Sequence, residues 1–189
     1  KLSLTSEANR LIPNQAANVA VTSRFLYGAA AAGLNAEAEL VLREDDNPYP
    51  DFADYQFGLA QQNWHPKRYP LKIAATNEQG ETQVAMKLDE LPDISRPLKA
   101  VLRVSLFEPG GRPVNQLLTL PYRSQAFDLG IKPNFRDVLE IGQQASFDVI
   151  AVDADSNRIA LNNLRYQLYR EDYHYYWYFR DNRWDYKLI

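Results

Sequence analysis

The sequence contains no cysteine. It can therefore hold no disulfide, no thiolate zinc site and no cysteine nucleophile. The compartment stays open. The cytosol suits a Cys-free chain, and so does a periplasm if the fold is large enough to stand without staples. Excess positive charge is lacking too: 21 Lys and Arg stand against 24 Asp and Glu, for a net charge of -3. Such a chain has no basic field to hold a polyanion, so nucleic acid is not an expected partner. No apolar run approaches membrane length, so this segment is not expected to insert directly into a bilayer. No signal-like segment opens the chain, which starts at Lys1 rather than Met. It is expected to be a mature protein or an excised piece of a longer one.

Catalytic patterns are equally sparse. The two histidines, His65 and His174, fall in different parts of the chain with no H-x-x-x-H or paired-ligand spacing. His65 precedes Pro66 in a loop-like setting, and His174 falls in an aromatic stretch. Ser6, Ser23, Ser95, Ser105, Ser124, Ser146 and Ser156 lie in no G-x-S-x-G elbow. There is no G-x-x-x-x-G-K-[ST] or G-x-G-x-x-G phosphate loop. Asp153, Asp155 and Asn157 have the D-x-D-x-N spacing that opens a calcium loop, but the later Gly and bidentate Glu are missing, and a hairpin turn is the simpler account. The expectation is a protein that is not an enzyme and carries no metal and no cofactor.

What is present is a period of two. Hydrophobic residues make up 46% and charged residues 24%, enough apolar material for a core in a chain of 189 residues. Apolar and polar residues alternate over 18–25 (NVAVTSRF), 34–42 (LNAEAELVL) and 83–88 (QVAMKL), with further extended runs at 99–106, 116–122, 147–152 and 164–170. Alternation of this kind marks strands sealed on one face. Turn clusters separate them at 77–80 (NEQG), 108–111 (EPGG) and 153–157 (DADSN). Residues 45–50 (DDNPYP) read as a loop, and 51–60 as a short helix or irregular crossover. The class is all-β, most simply a sandwich. The pattern restarts after Tyr122, which divides the chain into a first sandwich over 1–123 and the start of a second over 124–189. Four or five strands in the second part are fewer than a sandwich needs.

One stretch does more than set a class. VTSRFLYGAAAAGLNAEAEL, Val21 to Leu40, resembles the R-F/Y-x-Y-G-x-x-x-x-G signature of macroglobulin domains in the α2-macroglobulin and thioester complement superfamily. Arg24, Tyr27, Gly28 and Gly33 sit at its positions, with Leu34 after them. Residues 127–159 (FDLGIKPNFRDVLEIGQQASFDVIAVDADSNRI) resemble the opening of a following macroglobulin domain, and the aromatic hairpin after LRYQLYRED is similar to the bacterial branch. The signature also has a plain physical reading. Glycine reaches positive φ, so Gly28 and Gly33 suit a connection that turns the chain back toward a strand beginning near Leu34.

The resemblance implies two consecutive antiparallel sandwich domains of a bacterial α2-macroglobulin-like protease inhibitor. In such a trap a protease cuts a bait region, the molecule rearranges, and a thioester can capture the attacker. A thioester needs Cys, and no stretch here reads as a bait segment, so the resemblance assigns this piece to the scaffold. Its implied partners are neighbouring macroglobulin domains and, for the full-length protein, target proteases. Its implied location is the periplasm, with the full-length protein lipid-anchored to the inner membrane.

Two groups of aromatics are candidates for an interface. Trp64 stands in WHPKRY, a loop-like run of aromatics and bases, where it either meets a neighbour or plugs the end of the sandwich. The end of the chain, EDYHYYWYFRDNRWDYKLI, reads as a hairpin turning at Asp181-Asn182. Phe179 then faces Trp184, Trp177 faces Tyr186 and Tyr175 faces Leu188, all on one side. Tyr178 with Asp185 and Tyr176 with Lys187 fall on the other. The apolar side is expected to line a core or interface. An alternative function is a carbohydrate- or ligand-binding, or adhesin-like, module that stacks sugar rings on these aromatics. It requires coplanar, solvent-facing rings.

Overall fold

The computed structural model describes residues 1–89, 92–108, 110–136, 138–169 and 175–188. The first module is built from β1 (Leu2–Ser6), β2 (Ala17–Ser23), β3 (Asn35–Glu44), β5 (Lys67–Leu71), β6 (Glu81–Met86), β7 (Leu98–Phe107) and β8 (Val114–Tyr122), with β4 (Gln56–Phe57) between β3 and β5 in sequence. One sheet has the order β1-β2-β6 and the other β5-β3-β7-β8, all antiparallel.

Alternation decides which side of each strand is sealed. In β2, Ala17, Val19, Val21 and Ser23 are buried while Asn18, Ala20 and Thr22 are exposed. In β3, Ala38, Leu40 and Leu42 are buried. Strand β7 pairs with β3 over ten residues, from Asn35 opposite Phe107 to Glu44 opposite Leu98. Its central place in the sheet matches its composition: Leu98, Ala100, Leu102, Val104 and Leu106 are buried toward the core and Val101 and Ser105 are buried on the other side. The core between the sheets joins Val19, Val21, Val84, Met86 and Leu88 to Leu40, Leu42, Leu102, Val104 and Leu106. Each large apolar side chain sealed there contributes about 1.5–3 kcal/mol relative to exposure.

The second module contains β9 (Phe127–Pro133), β10 (Phe147–Asp153) and β11 (Arg158–Ile159), and then a hairpin of β12 (Tyr175–Arg180) and β13 (Arg183–Leu188). Its sheet has the order β11-β10-β9-β4. The fourth strand is thus contributed by the first module's sequence: Gln56 pairs with Ile131 and Phe57 with Gly130. The core of this sheet is Tyr49, Phe57, Ile150 and Val152, with Phe52 and Tyr55 packed against it. The crossover expected over 51–60 is therefore a single 3-10 turn at Pro50–Phe52 followed by an edge strand of another sheet.

Two expectations are corrected. Residues 164–169 alternate in sequence but form no strand. Leu164, Tyr166, Leu168 and Tyr169 are all exposed, so among the described residues no sheet partner or core rewards extension there. The WHPKRY stretch is not all loop, because Lys67–Leu71 pairs with β3. Pro70 is tolerated because β5 is an edge strand. Strand β1 escaped the sequence reading. Pro109, Arg170, Tyr173 and His174 lie outside the described residues.

Candidate interaction surfaces

The signature connector is organised by backbone bonds. The Arg24 N–H donates to Lys1 O at 2.9 Å, Phe25 N–H to Ala29 O at 2.9 Å, and Gly28 N–H to Phe25 O at 3.0 Å. The Arg24 guanidinium donates to Gly28 O at 3.4 Å. Gly28 and Gly33 have φ of 97° and 68°, the left-handed conformation expected of them. Tyr27 stacks on Phe25 with centroids 5.4 Å apart and rings within 3° of parallel. Leu26 and Tyr27 stand out at the tip, 98% and 80% exposed.

Sequence reasoning missed what pins the connector. Thr76 is buried, and its hydroxyl donates to Ala31 O at 2.7 Å and accepts from the Leu34 N–H at 2.9 Å. The Gly80 carbonyl accepts from Ser23 N–H at 2.8 Å. A β-carbon at Gly80 would meet Ser23 O at 2.3 Å, so this turn passes beneath the connector only as glycine. The NEQG cluster was visible as a turn; its tertiary target was not.

The hairpin has the expected register. Tyr175 pairs with Leu188, Trp177 with Tyr186 and Phe179 with Trp184, while Tyr176 pairs with Lys187 and Tyr178 with Asp185. Asp181 and Asn182 have φ of 50° and 61°, the two positive values of a type I′ turn. The shared face is exposed, from 56% at Phe179 to 69% at Trp184. Its rings are tilted: 57° between Trp177 and Tyr186, 58° between Phe179 and Trp184, and 68° between Tyr175 and Tyr186. A second apolar face lies on β9 and β10, where Leu129, Ile131, Phe147 and Val149 are 43–50% exposed. The register sets Val149 opposite Ile131. Exposed apolar faces of this kind are candidate interaction surfaces.

The other singled-out residues have local roles. Trp64 packs against the first core, and its indole N–H donates to Leu42 O at 3.0 Å while Lys67 Nζ lies 5.0 Å above its ring. His65 is exposed beside it. Ser95 Oγ donates to Gln62 Oε1 at 2.7 Å and Ser105 Oγ to Asn115 Oδ1 at 2.6 Å, so both hydroxyls serve amides rather than a base. The 153–157 turn uses its own carboxylate. Asp153 Oδ1 accepts the N–H groups of Asp155 and Asn157 at 2.9 and 2.8 Å. These bonds, led by the Asn157 N–H, hold its carboxyl below the ordinary range. Asp155 is paired with Arg10 of the first module. Among the described residues no group of His, Cys, Asp and Glu could hold a metal ion, and no helix is long and apolar enough to cross a membrane.

Two three- and four-stranded antiparallel sheets over a turned-back R-F-L-Y-G connector, followed by a second β-module, define a tandem of macroglobulin domains. Residues 1–123 match the bacterial alpha-2-macroglobulin MG5 domain family and residues 130–189 match bacterial macroglobulin domain 6. The chain belongs to the bacterial alpha-2-macroglobulin family. It is 26% identical to the alpha-2-macroglobulin of Escherichia coli K12 over 93% of this chain and 12% of that protein. It is 28% identical to that of Xylella fastidiosa Temecula1 over 98% of this chain and 12% of that protein. The native E. coli alpha-2-macroglobulin superposes on the whole chain with a TM-score of 0.68 at 24% identity, covering 13% of its own chain. The E. coli protein activated by porcine elastase does so with a TM-score of 0.71 at 25% identity, covering 18% of its own chain. This chain thus spans about one eighth of the length of the curated relatives it matches.

Proposed function

We propose that this chain is a scaffold portion of a bacterial protease trap, a pair of modules that hold other domains of the full-length protein in position. The observation that carries the reading is the family match over both modules. The residue types agree with it. A chain without cysteine cannot itself carry a thioester. The surfaces agree as well, since the exposed apolar faces of β9–β10 and β12–β13 suit contacts with neighbouring domains. In the full-length protein the expected partners are those domains and a target protease. A periplasmic location, with a lipid anchor elsewhere in the parent, is what the family resemblance implies.

The test is made in the parent protein. Trp177→Ser together with Trp184→Ser is expected to reduce capture of a protease at least tenfold while first-module stability holds. Undiminished capture would remove the hairpin from the scaffold.

The carbohydrate-binding reading draws on the exposure of the aromatic face. Sugar stacking calls for coplanar rings, whereas these are tilted by 57° to 68°. Tilted geometry is what neighbouring aromatic rings adopt when they pack on one another rather than present a flat platform. A glycan titration separates the two readings, with millimolar or tighter binding favouring the sugar module.

A further inference from the structure

The segment between β3 and β5 is held at three levels. Near its start, Asp45 N–H donates to Pro97 O at 3.0 Å. Lys99 Nζ reaches the carboxylates of Asp45 and Asp46 at 3.5 and 3.4 Å. At its far end Leu59 N–H donates to Ser95 Oγ at 2.9 Å, and Gln62 Oε1 accepts from Ser95 N–H at 2.8 Å. Both roots of the segment are therefore stapled to the first module. Its middle is not. Phe57 pairs with Gly130, and Gly130 pairs in turn with Ile150, so the three form one row across β4, β9 and β10. A β-carbon at Gly130 would stand 2.7 Å from Phe57 Cε1, so the ring occupies the space a side chain there would need. An aromatic ring laid over a strand glycine supplies the packing that the glycine lacks.

Tyr49 ties the row to the crossing point between the modules. It is 1% exposed. Its ring meets Phe57 at 4.7 Å between centroids, and its hydroxyl donates to Asp128 Oδ2 at 2.5 Å. Arg123, the buried residue at the end of the first module, places its guanidinium 4.9 Å over the same ring. That guanidinium donates to Pro48 O at 3.0 Å and Tyr122 O at 3.3 Å. A further bond from the Arg123 N–H to Leu11 O at 2.9 Å fixes its backbone. Lys132 of β9 also reaches this segment, with its Nζ 3.4 Å from Asp54 Oδ2 and 5.5 Å over the Tyr55 ring. Arg10 pairs with Asp155 at another point of contact.

We propose that residues 45–58 are a strand-donating strap that clamps the two modules into one rigid element, so that the crossing at 123–127 is not a hinge. Among the described residues, four of the six side chains in the second module's core, Tyr49, Phe52, Tyr55 and Phe57, come from the strap. Bending at the crossing would pull β4 from β9, draw Phe57 off Gly130 and strip the Tyr49 ring from Arg123. A two-module unit built this way moves as a lever, carrying any displacement of one module to the other. The proposal concerns only how the modules are joined and does not depend on the protease-trap reading.

The chain has no cysteine, so two introduced cysteines can be spin-labelled without background. Gln83→Cys on β6 and Val149→Cys on β10 are exposed sites on opposite modules. Pulsed dipolar spectroscopy is expected to give one narrow distance distribution in the full chain. Phe57→Ala is expected at least to double its width, with amide exchange in β9 and β10 at least tenfold faster and that of β3 and β7 unchanged. Loss of β9–β10 protection alone, with β3–β7 kept, also supports the clamp, because it shows the second module depending on the strap. If Phe57→Ala unfolds the whole chain, Tyr49→Phe decides, with measurable broadening expected from loss of the Asp128 bond. A broad distribution in the unsubstituted background, or an unchanged width and unchanged β9–β10 exchange in the deciding variant, overturns the proposal. No protease is present, so neither result bears on the scaffold function.

Discussion

The ring of Phe57 lies across Gly130, with its Cε1 atom 2.7 Å from where a β-carbon would stand. The two residues belong to different modules and pair in one sheet. A side chain at 130 must therefore displace the ring or the strand.

Gly130→Val is predicted to destabilise the second module by about 1–3 kcal/mol, the cost of overpacking a filled site. Urea unfolding followed by amide exchange checks it. The loss should appear in β9–β10 while β3–β7 keeps its protection.

Thr76 is predicted to matter more than its size suggests. Its buried hydroxyl serves both Ala31 O and the Leu34 N–H. Thr76→Val keeps the shape and removes both bonds, leaving a buried donor and acceptor unmet. The expected loss is about 1–3 kcal/mol in the unfolding free energy of the first module. Thr76→Ser should recover most of it.

Asp153 and Tyr49 contribute to opposite limbs of the pH profile. The Asn157 N–H, the Asn157 side chain, the Asp155 N–H and Arg10 favour the charged form of Asp153, so its native pKa is depressed. That contribution is present above the unfolded value of about 4 and is lost as pH falls through the lower native value. Asp153→Asn should flatten the acid limb. Tyr49 is pushed the other way, by burial first and then by its bond to Asp128. Its contribution is complete below the unfolded value of about 10 and declines as pH rises toward the higher native one. Tyr49→Phe should flatten the alkaline limb. Urea midpoints taken at stepped pH test both signs.

The aromatic hairpin face is predicted to be a surface for contact rather than for local stability. Trp177 and Trp184 are 61% and 69% exposed. Replacing both by Ser should change the unfolding free energy of the isolated chain by about 2 kcal/mol or less, the size of the two cross-strand pairs removed. The same change should reduce binding of an apolar fluorescent dye.

Legibility followed the range of the forces. Strands β2, β3 and β6 were readable because each alternates against a core, and β7, β8 and β10 because each is an extended, largely apolar run between turn signals. The hairpin register was readable because a two-residue turn fixes every pair beyond it. Gly28 and Gly33 were readable because positive φ is a local demand. The reading failed where the cause is distant. Residues 164–169 carry the alternation of a strand with no partner among the described residues to complete it. Strand β5 hides behind Pro70, which only an edge position excuses. The strap was invisible because Gly130 signals its partner by lacking a side chain, and Phe57 alone does not say which sheet it serves.

The central claim is that this chain is scaffold and not trap. The most direct measurement adds the isolated chain, in molar excess, to a broad-specificity endopeptidase acting on a large protein substrate, with the full-length parent alongside. The account predicts that the parent slows proteolysis while the chain leaves the rate unchanged and forms no covalent adduct. Robust inhibition by the chain alone, steric or covalent, would contradict it.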